Sequence, residues 1–331
     1  MTKSETPSLS AALLIALLAN VFLSGQSDFW SRTGLLTAIP AIGLLALTAV
    51  LFRHGWYYGE NLLFRMAFLL LLVVSSALEL LRLWQLFTQV YPEGVTLLGV
   101  CCTVLLPVVY LRRKSSLAQT ARVLLCLLAA AGVVLLISVA PRLRVVNLQT
   151  PPCTASIYGE TLLRQLSLYP ELLLPALWRP KGGDKLGAGL GTAAVAGAWS
   201  VNLLLELFFG AALQQRNAPL HMAARTGAIS VFNRLEWLQL ILWSAAISLK
   251  LALYLYAMVR LAGGHTGQTR DTAVGLDRFP LYFAVLFFLC LVLRQVDMQQ
   301  ALWWRNLACW VFAAVVEIGG GIAWLAKRRL F

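Results

Sequence analysis

Apolar residues in this chain come in long runs, and the polar residues between them come in short clusters. A helix that crosses a membrane needs about 20 mostly apolar residues. On that rule the pattern predicts ten spans. They cover approximately Leu9–Leu23, Gly34–Phe52, Leu62–Phe87, Val95–Leu111, Ala118–Val139, Tyr158–Trp178, Gly187–Leu213, Leu235–Leu261, Phe279–Leu293 and Leu307–Leu325. The connections carry ordinary turn residues, as at Tyr91-Pro92-Glu93-Gly94 and Lys181-Gly182-Gly183-Asp184. One connection is different. Gln214 to Arg234 is moderately hydrophobic, which predicts a helical piece at the outer interface before the chain re-enters.

The sixth run is irregular. Tyr158 to Pro180 is apolar enough for a membrane, yet it holds Arg164, Pro170, Glu171 and Pro175. A proline inside a helix removes a donor and leaves the carbonyl four residues earlier without its partner. Pro170 would free the carbonyl of Leu166, and Pro175 that of Glu171. Lipid supplies no replacement partner, so a broken helix survives only where it is buried or faces a water-filled cavity. A break with a carboxylate beside it therefore predicts a site.

Composition supports the pattern. Hydrophobic residues make up 60% and charged residues 12% of the chain, where a soluble domain carries about 25% charged. The expected class is an all-α polytopic membrane protein. A net charge of +13 raises the question of nucleic acid, but the cations fall mainly in short loops and form no basic stripe with exposed aromatics, so no nucleic-acid partner is expected. With the N-terminus inside, sixteen Lys and Arg fall in loops on its side and eight on the other, Arg294 and Arg305 among the eight. That bias predicts both termini in the cytoplasm. The cysteines form no C-x-x-C pair and have no histidine partner, so neither a metal nor a disulfide framework is expected. No cofactor is expected. No nucleophile–base pairing, metal spacing or phosphate loop is visible either, and the chain does not read as an enzyme.

Several stretches resemble the spore germination permeases, the B subunits of nutrient germinant receptors. Phe232-Asn233-Arg234-Leu235-Glu236-Trp237, continuing to Trp243, Lys250 and Tyr254, is similar to that family's eighth span, with R-x-E, a Trp seven residues after the Glu, then Lys and Tyr. Gly25 to Ser31 resembles the segment before span two, and Ser167-Leu168-Tyr169-Pro170-Glu171 the broken sixth span. The family belongs to the amino acid–polyamine–organocation superfamily. The resemblance therefore implies a single LeuT-like transmembrane domain over residues 1–331, built as a 5+5 inverted repeat of about 8–140 and 155–326. Substrate would lie where spans one and six are unwound. It further implies a membrane subunit that senses a small nutrient, an amino acid first, with an A-type membrane subunit and a C-type lipoprotein as partners in the spore inner membrane. The other readings are a proton-coupled amino acid transporter and a non-binding structural subunit. The first span departs from the family, since Leu9–Leu23 is shortened and contains no Gly or Pro. The expected site is consequently one-sided.

Tyr169, Pro170, Glu171 and Lys250 are the candidate ligand-binding residues. Glu171 either meets the amino group of a ligand, takes up a proton, or closes the broken helix as a buried cap. Lys250 either replaces a coupled cation against the eighth span or pairs with Glu206 or Glu79. Arg234, Glu236 and Trp243 are expected to stabilise the mouth of span eight or meet a partner subunit. Glu79 and Arg82, three apart on one helical face, are expected to neutralise each other. Arg164, Glu206 and Glu317 are further charges within spans whose roles the sequence leaves open, although Gly319-Gly320-Gly321 after Glu317 predicts a close helix approach.

Overall fold

A computed structural model describes residues 9–24, 29–91, 94–148, 154–178, 183–215, 219–226, 228–229, 232–233, 236–263 and 273–328. Each of the ten apolar stretches forms helix, the sixth with an interruption at 166–169. The helices are α1 (Ser10–Ser24), α2 (Ser31–Gly59), α3 (Leu62–Val90), α4 (Leu97–Tyr110), α5 (Lys114–Val139), α6 (Ala155–Gln165), α7 (Pro170–Leu173), α8 (Pro175–Trp178), α9 (Gly183–Phe209), α10 (Pro219–Thr226), α11 (Glu236–Ala262), α12 (Arg278–Leu293) and α13 (Met298–Arg328). Six helices are long and apolar enough to cross a membrane, and α1, α4 and α12 are shorter apolar helices. The chain is an all-α membrane protein. Its extended structure among the described residues is one two-residue antiparallel pairing, Ala228–Ile229 (β1) with Phe232–Asn233 (β2).

Side chains at the chain breaks start the helices as their chemistry dictates. Asn61 accepts from the Phe64 N–H at 2.8 Å, and Thr96 and Thr154 do the same for α4 and α6. Such a cap satisfies one of the donors a helix start leaves open. The start of α2 uses a carboxylate from another helix: Glu206 of α9 accepts from the Ser31 N–H at 2.9 Å. Trp199, also on α9, donates to the Ser31 carbonyl at 2.9 Å.

Lipid is as apolar as leucine, so helices in a bilayer gain little from hiding apolar surface and are held by close packing and internal polar bonds. Both are visible. A Cβ added at Gly320 of α13 would lie 2.2 Å from the backbone of Gly55 on α2. The close approach expected from the Gly319–Gly321 run is met there. Around it Phe52, Trp56, Phe68 and Phe312 pack ring against ring. The opposite face of α13 exposes Trp304, Val311, Val315, Ile318, Ile322 and Leu325 at helical spacing, as a lipid-facing surface should.

α1 is an interior helix. Leu9, Ala12, Leu13, Ile15, Ala16, Leu17, Ala19 and Asn20 are all buried, and α1 packs against α5, α9 and α11. Its 15 residues span roughly 22 Å, less than the ~30 Å hydrocarbon layer, and protein surrounds it. α11 is buried without interruption from Ala246 to Met258. The connection between α9 and α11 differs from a helix lying outward at an interface. In α10, Pro219, Leu220, His221, Ala223 and Ala224 are buried, and the helix packs against α5, α9 and α11.

Candidate functional site

The sixth stretch breaks where the prolines predict. α6 ends at Gln165, residues 166–169 leave the helix, and α7 begins at Pro170. The freed carbonyl of Leu166 accepts the indole N–H of Trp310 on α13 at 2.8 Å. The side chain thus supplies the donor that Pro170 lacks. Trp310→Phe keeps the ring and removes that donor, leaving the carbonyl unpaired at the break. We expect the purified chain to lose about 1–3 kcal/mol of stability, read as a lowered melting temperature in detergent or nanodiscs.

α7 presents Glu171 to the interior, fully buried. Four other helices converge on it. α3 contributes Glu79 and Arg82, α11 contributes Lys250 and Tyr254 one turn apart, α13 contributes Arg305, and α1 contributes Asn20; all are buried. The Lys250 ammonium lies 2.9 Å from Glu79 Oε1, 2.9 Å from Glu171 Oε1 and 2.5 Å from Asn20 Oδ1. Three acceptors match its three N–H donors. The Tyr254 hydroxyl donates to Glu171 Oε1, and the Asn20 amide donates to Glu171 Oε2 at 3.2 Å. Both oxygens of Glu171 are therefore engaged within the chain.

Glu79 is shared more widely than its spacing to Arg82 predicts. Arg305 meets its Oε1 at 2.9 Å, whereas Arg82 is a looser ion pair at 3.4 Å and also donates to the Asn20 carbonyl at 3.3 Å. The expected pairing of Glu79 with Arg82 is present, within a wider network in which Glu79 faces three cations. Of the two partners foreseen for Lys250, Glu79 is the one it meets; Glu206 is occupied at the start of α2. The Tyr169 ring lies 5.3 Å from the Arg305 guanidinium, an attractive cation–π geometry. The formal count is two carboxylates against three cations, in a place where an unpaired ion costs several kcal/mol.

Asn20, Tyr254 and Arg305 are members of the network that are not among the candidate site residues of the sequence. The sequence places Arg305 in a loop, before a last span that starts at Leu307. Instead α13 begins at Met298, and Glu79 neutralises the charge inside the helix. Its position four residues before Cys309, which is also buried, is the available signal. Asn20 is the polar residue between Ser10 and Ser24, the two ends of α1. Through it the first stretch joins the site although its helix is unbroken, so the site has contributions from both the first and the sixth stretches.

The remaining predicted residues lie elsewhere. Arg164 pairs with Glu160 at 2.6 Å on an exposed turn of α6. Trp243 packs against the apolar cluster of Leu205, Leu213 and Leu220. Arg234 and the side chain of Glu236 lie outside the described residues, as does Gly25 to Asp28. Glu317 is half-buried on α13, with one buried carboxylate oxygen that has no hydrogen-bond partner. Among the described residues no group of three or more His, Cys, Asp or Glu is placed to hold a metal ion.

A cleft of about 1470 Å³ opens beside the network at the end of the bundle where Gln89, Glu160, Arg294 and Asp297 lie. Its inner wall includes Asn20, Arg82, Trp84, Tyr169, Arg305 and Trp310. Comparison with protein-family models and with curated proteins finds no match for this chain.

Proposed function

We propose that the chain is the permease-like B subunit of a spore germinant receptor, sensing a small nutrient, an amino acid, and signalling through partner subunits. The observation that carries this reading is the coincidence of the 166–169 break, the buried network and an open cleft at one place. Irregular backbone at membrane depth is tolerated where it lines such a cavity, and discontinuous helices form the substrate sites of many permease folds. The resemblance of the Trp243–Lys250–Tyr254 stretch to germination permeases supplies the family.

The proposal takes the ten helical stretches as ten spans in two five-span repeats. Part of the packing supports it, although among the described residues the extensive α2–α13 pair has no comparable α9–α5 counterpart. Exchanging each stretch for the one five places along turns the α3–α12 pair into α11–α4, α3–α13 into α11–α5, and α1–α9 into the broken stretch against α2. The pairs α2–α9, α3–α11 and α4–α12 map onto themselves. An odd number of crossings per repeat starts the second repeat on the opposite side, which is the inverted arrangement of LeuT-like proteins. With both termini cytoplasmic, the cleft faces outward. The partners are an A-type membrane subunit and a C-type lipoprotein in the spore inner membrane.

Lys250 favours sensing over transport. Its ammonium, tethered to the chain, holds the place between two carboxylates that a substrate amine or a coupled cation would need. Spores lacking the chain should lose their response to one nutrient class, while vesicles containing it should show no counterflow of that nutrient. Robust counterflow would instead establish a proton-coupled amino acid transporter. Glu171→Gln should raise the nutrient concentration for half-maximal germination about tenfold, by weakening the charged hydrogen bonds with Lys250 and Tyr254 that hold the network behind the cleft together. An unchanged dose response in an assembled complex would mark the chain as a non-binding structural subunit.

A further inference from the structure

The two carboxylates of the network do not face the cleft. Neither Glu79 nor Glu171 belongs to its wall, nor does Lys250, whereas Asn20, Arg82 and Arg305 do. The wall also carries Glu160 and Asp297, matched in number by Arg164 and Arg294, so the unbalanced charge an incoming molecule meets is the cationic side of a network with one surplus positive charge. Both guanidiniums keep donor capacity. Arg82 places its terminal nitrogens on Glu79 and the Asn20 carbonyl, and Arg305 places its own on Glu79 and Asn306. Each guanidinium carries five N–H groups, more than these acceptors use.

A second observation points the same way. Trp84 lines the cleft, and its indole N–H is buried with no hydrogen-bond partner in the protein. An unpaired buried donor costs about 1–3 kcal/mol, a cost that an acceptor arriving in the cleft would remove. Cations and an orphan donor together select for an acceptor-rich anion. The planar guanidinium fork fits a carboxylate through paired hydrogen bonds. The Tyr169 ring and Trp310 border the same space and suit a small organic remainder.

We infer that the cleft recognises its ligand by a carboxylate, held by Arg82, Arg305 and the Trp84 indole, and that the ligand's amino group is not read at Glu171. The inference rests on the reading of the cleft as the nutrient site, and it reverses the polarity that Glu171 alone implied. An amino acid enters acid end first.

Thermal stabilisation of the full chain in lipid nanodiscs tests it, because a ligand that binds the folded state raises the melting temperature with concentration. The probes are the common L-amino acids, their N-acetyl derivatives and their decarboxylated amines, with inorganic phosphate at matched ionic strength. Saturable stabilisation by an amino acid and by its N-acetyl derivative, but not by its amine, is expected. Trp84→Phe, which removes no hydrogen bond within the protein, should weaken that binding roughly 5–10-fold. Stabilisation by the amine but not the N-acetyl acid would overturn the inference and leave nutrient sensing intact. Equal stabilisation by phosphate, or none by any carboxylate, would also overturn it. The spore response to nutrients decides the sensing reading separately.

Discussion

Glu79→Ala is expected to abolish the folded protein or come close to it. The substitution leaves Lys250, Arg305 and Arg82 in a buried site with Glu171 as the remaining carboxylate. Removing one partner of a buried ion pair costs about 3–5 kcal/mol, against a total stability of about 5–15 kcal/mol, and here two close pairs and a looser one go together. Monodisperse yield from size-exclusion chromatography and the melting temperature measure it. The double variant Glu79→Leu with Arg305→Met removes one charge of each sign and restores the original balance of one surplus cation. It should recover most of the yield, since apolar groups of similar volume often replace a buried ion pair without loss. Failure of that recovery would show that shape and hydrogen bonding around Glu79 matter more than charge.

Gly320→Val is expected to separate α13 from α2. The first added carbon already meets the Gly55 backbone at 2.2 Å, and backbone cannot rotate aside as a side chain can. Overpacking of a tight interior costs about 1–3 kcal/mol and sometimes more. Because α13 carries Arg305 and Trp310, a displaced helix should also loosen the pairing with Glu79 and the cap on Leu166. Gly321→Ala is the control, as a Cβ there meets nothing within 4 Å. A lowered melting temperature for Gly320→Val with an unchanged one for Gly321→Ala is the expected outcome. Equal effects would place the cost in backbone flexibility and not in the crossing.

These expectations share a cause. In a bilayer the interior is held by steric fit at small residues and by polar groups that find one another, because apolar surface is equally comfortable in lipid. The two glycines set how near α2 and α13 come, and that distance sets whether Arg305 and Trp310 reach their partners. A stability change at the crossing and a change at the network are accordingly expected to couple in double variants, more than the distance along the chain implies.

What the sequence determined by itself was the class of protein, the place of nearly every helix, and the position and consequence of the break. Apolar run length is a property of each segment, and a proline frees a known carbonyl wherever the helix lies; Leu166 needed a new donor before any fold was known. Trp310 as that donor, Asn20 and Arg305 as members of the site, and Glu206 as the cap of α2 were decided by tertiary structure alone. Each is a contact between residues more than a hundred positions apart, and spacing along a helix reports nothing beyond its own turns. The charge that looked like a loop residue at Arg305 shows the limit most plainly. Whether an arginine can stand inside a membrane helix depends on the carboxylate facing it, and that carboxylate, Glu79, is carried by another helix. At the break the same holds: the sequence placed Glu171 beside the proline, and folding surrounded it with Lys250, Tyr254 and Asn20, turning the cationic side of the network toward the cleft.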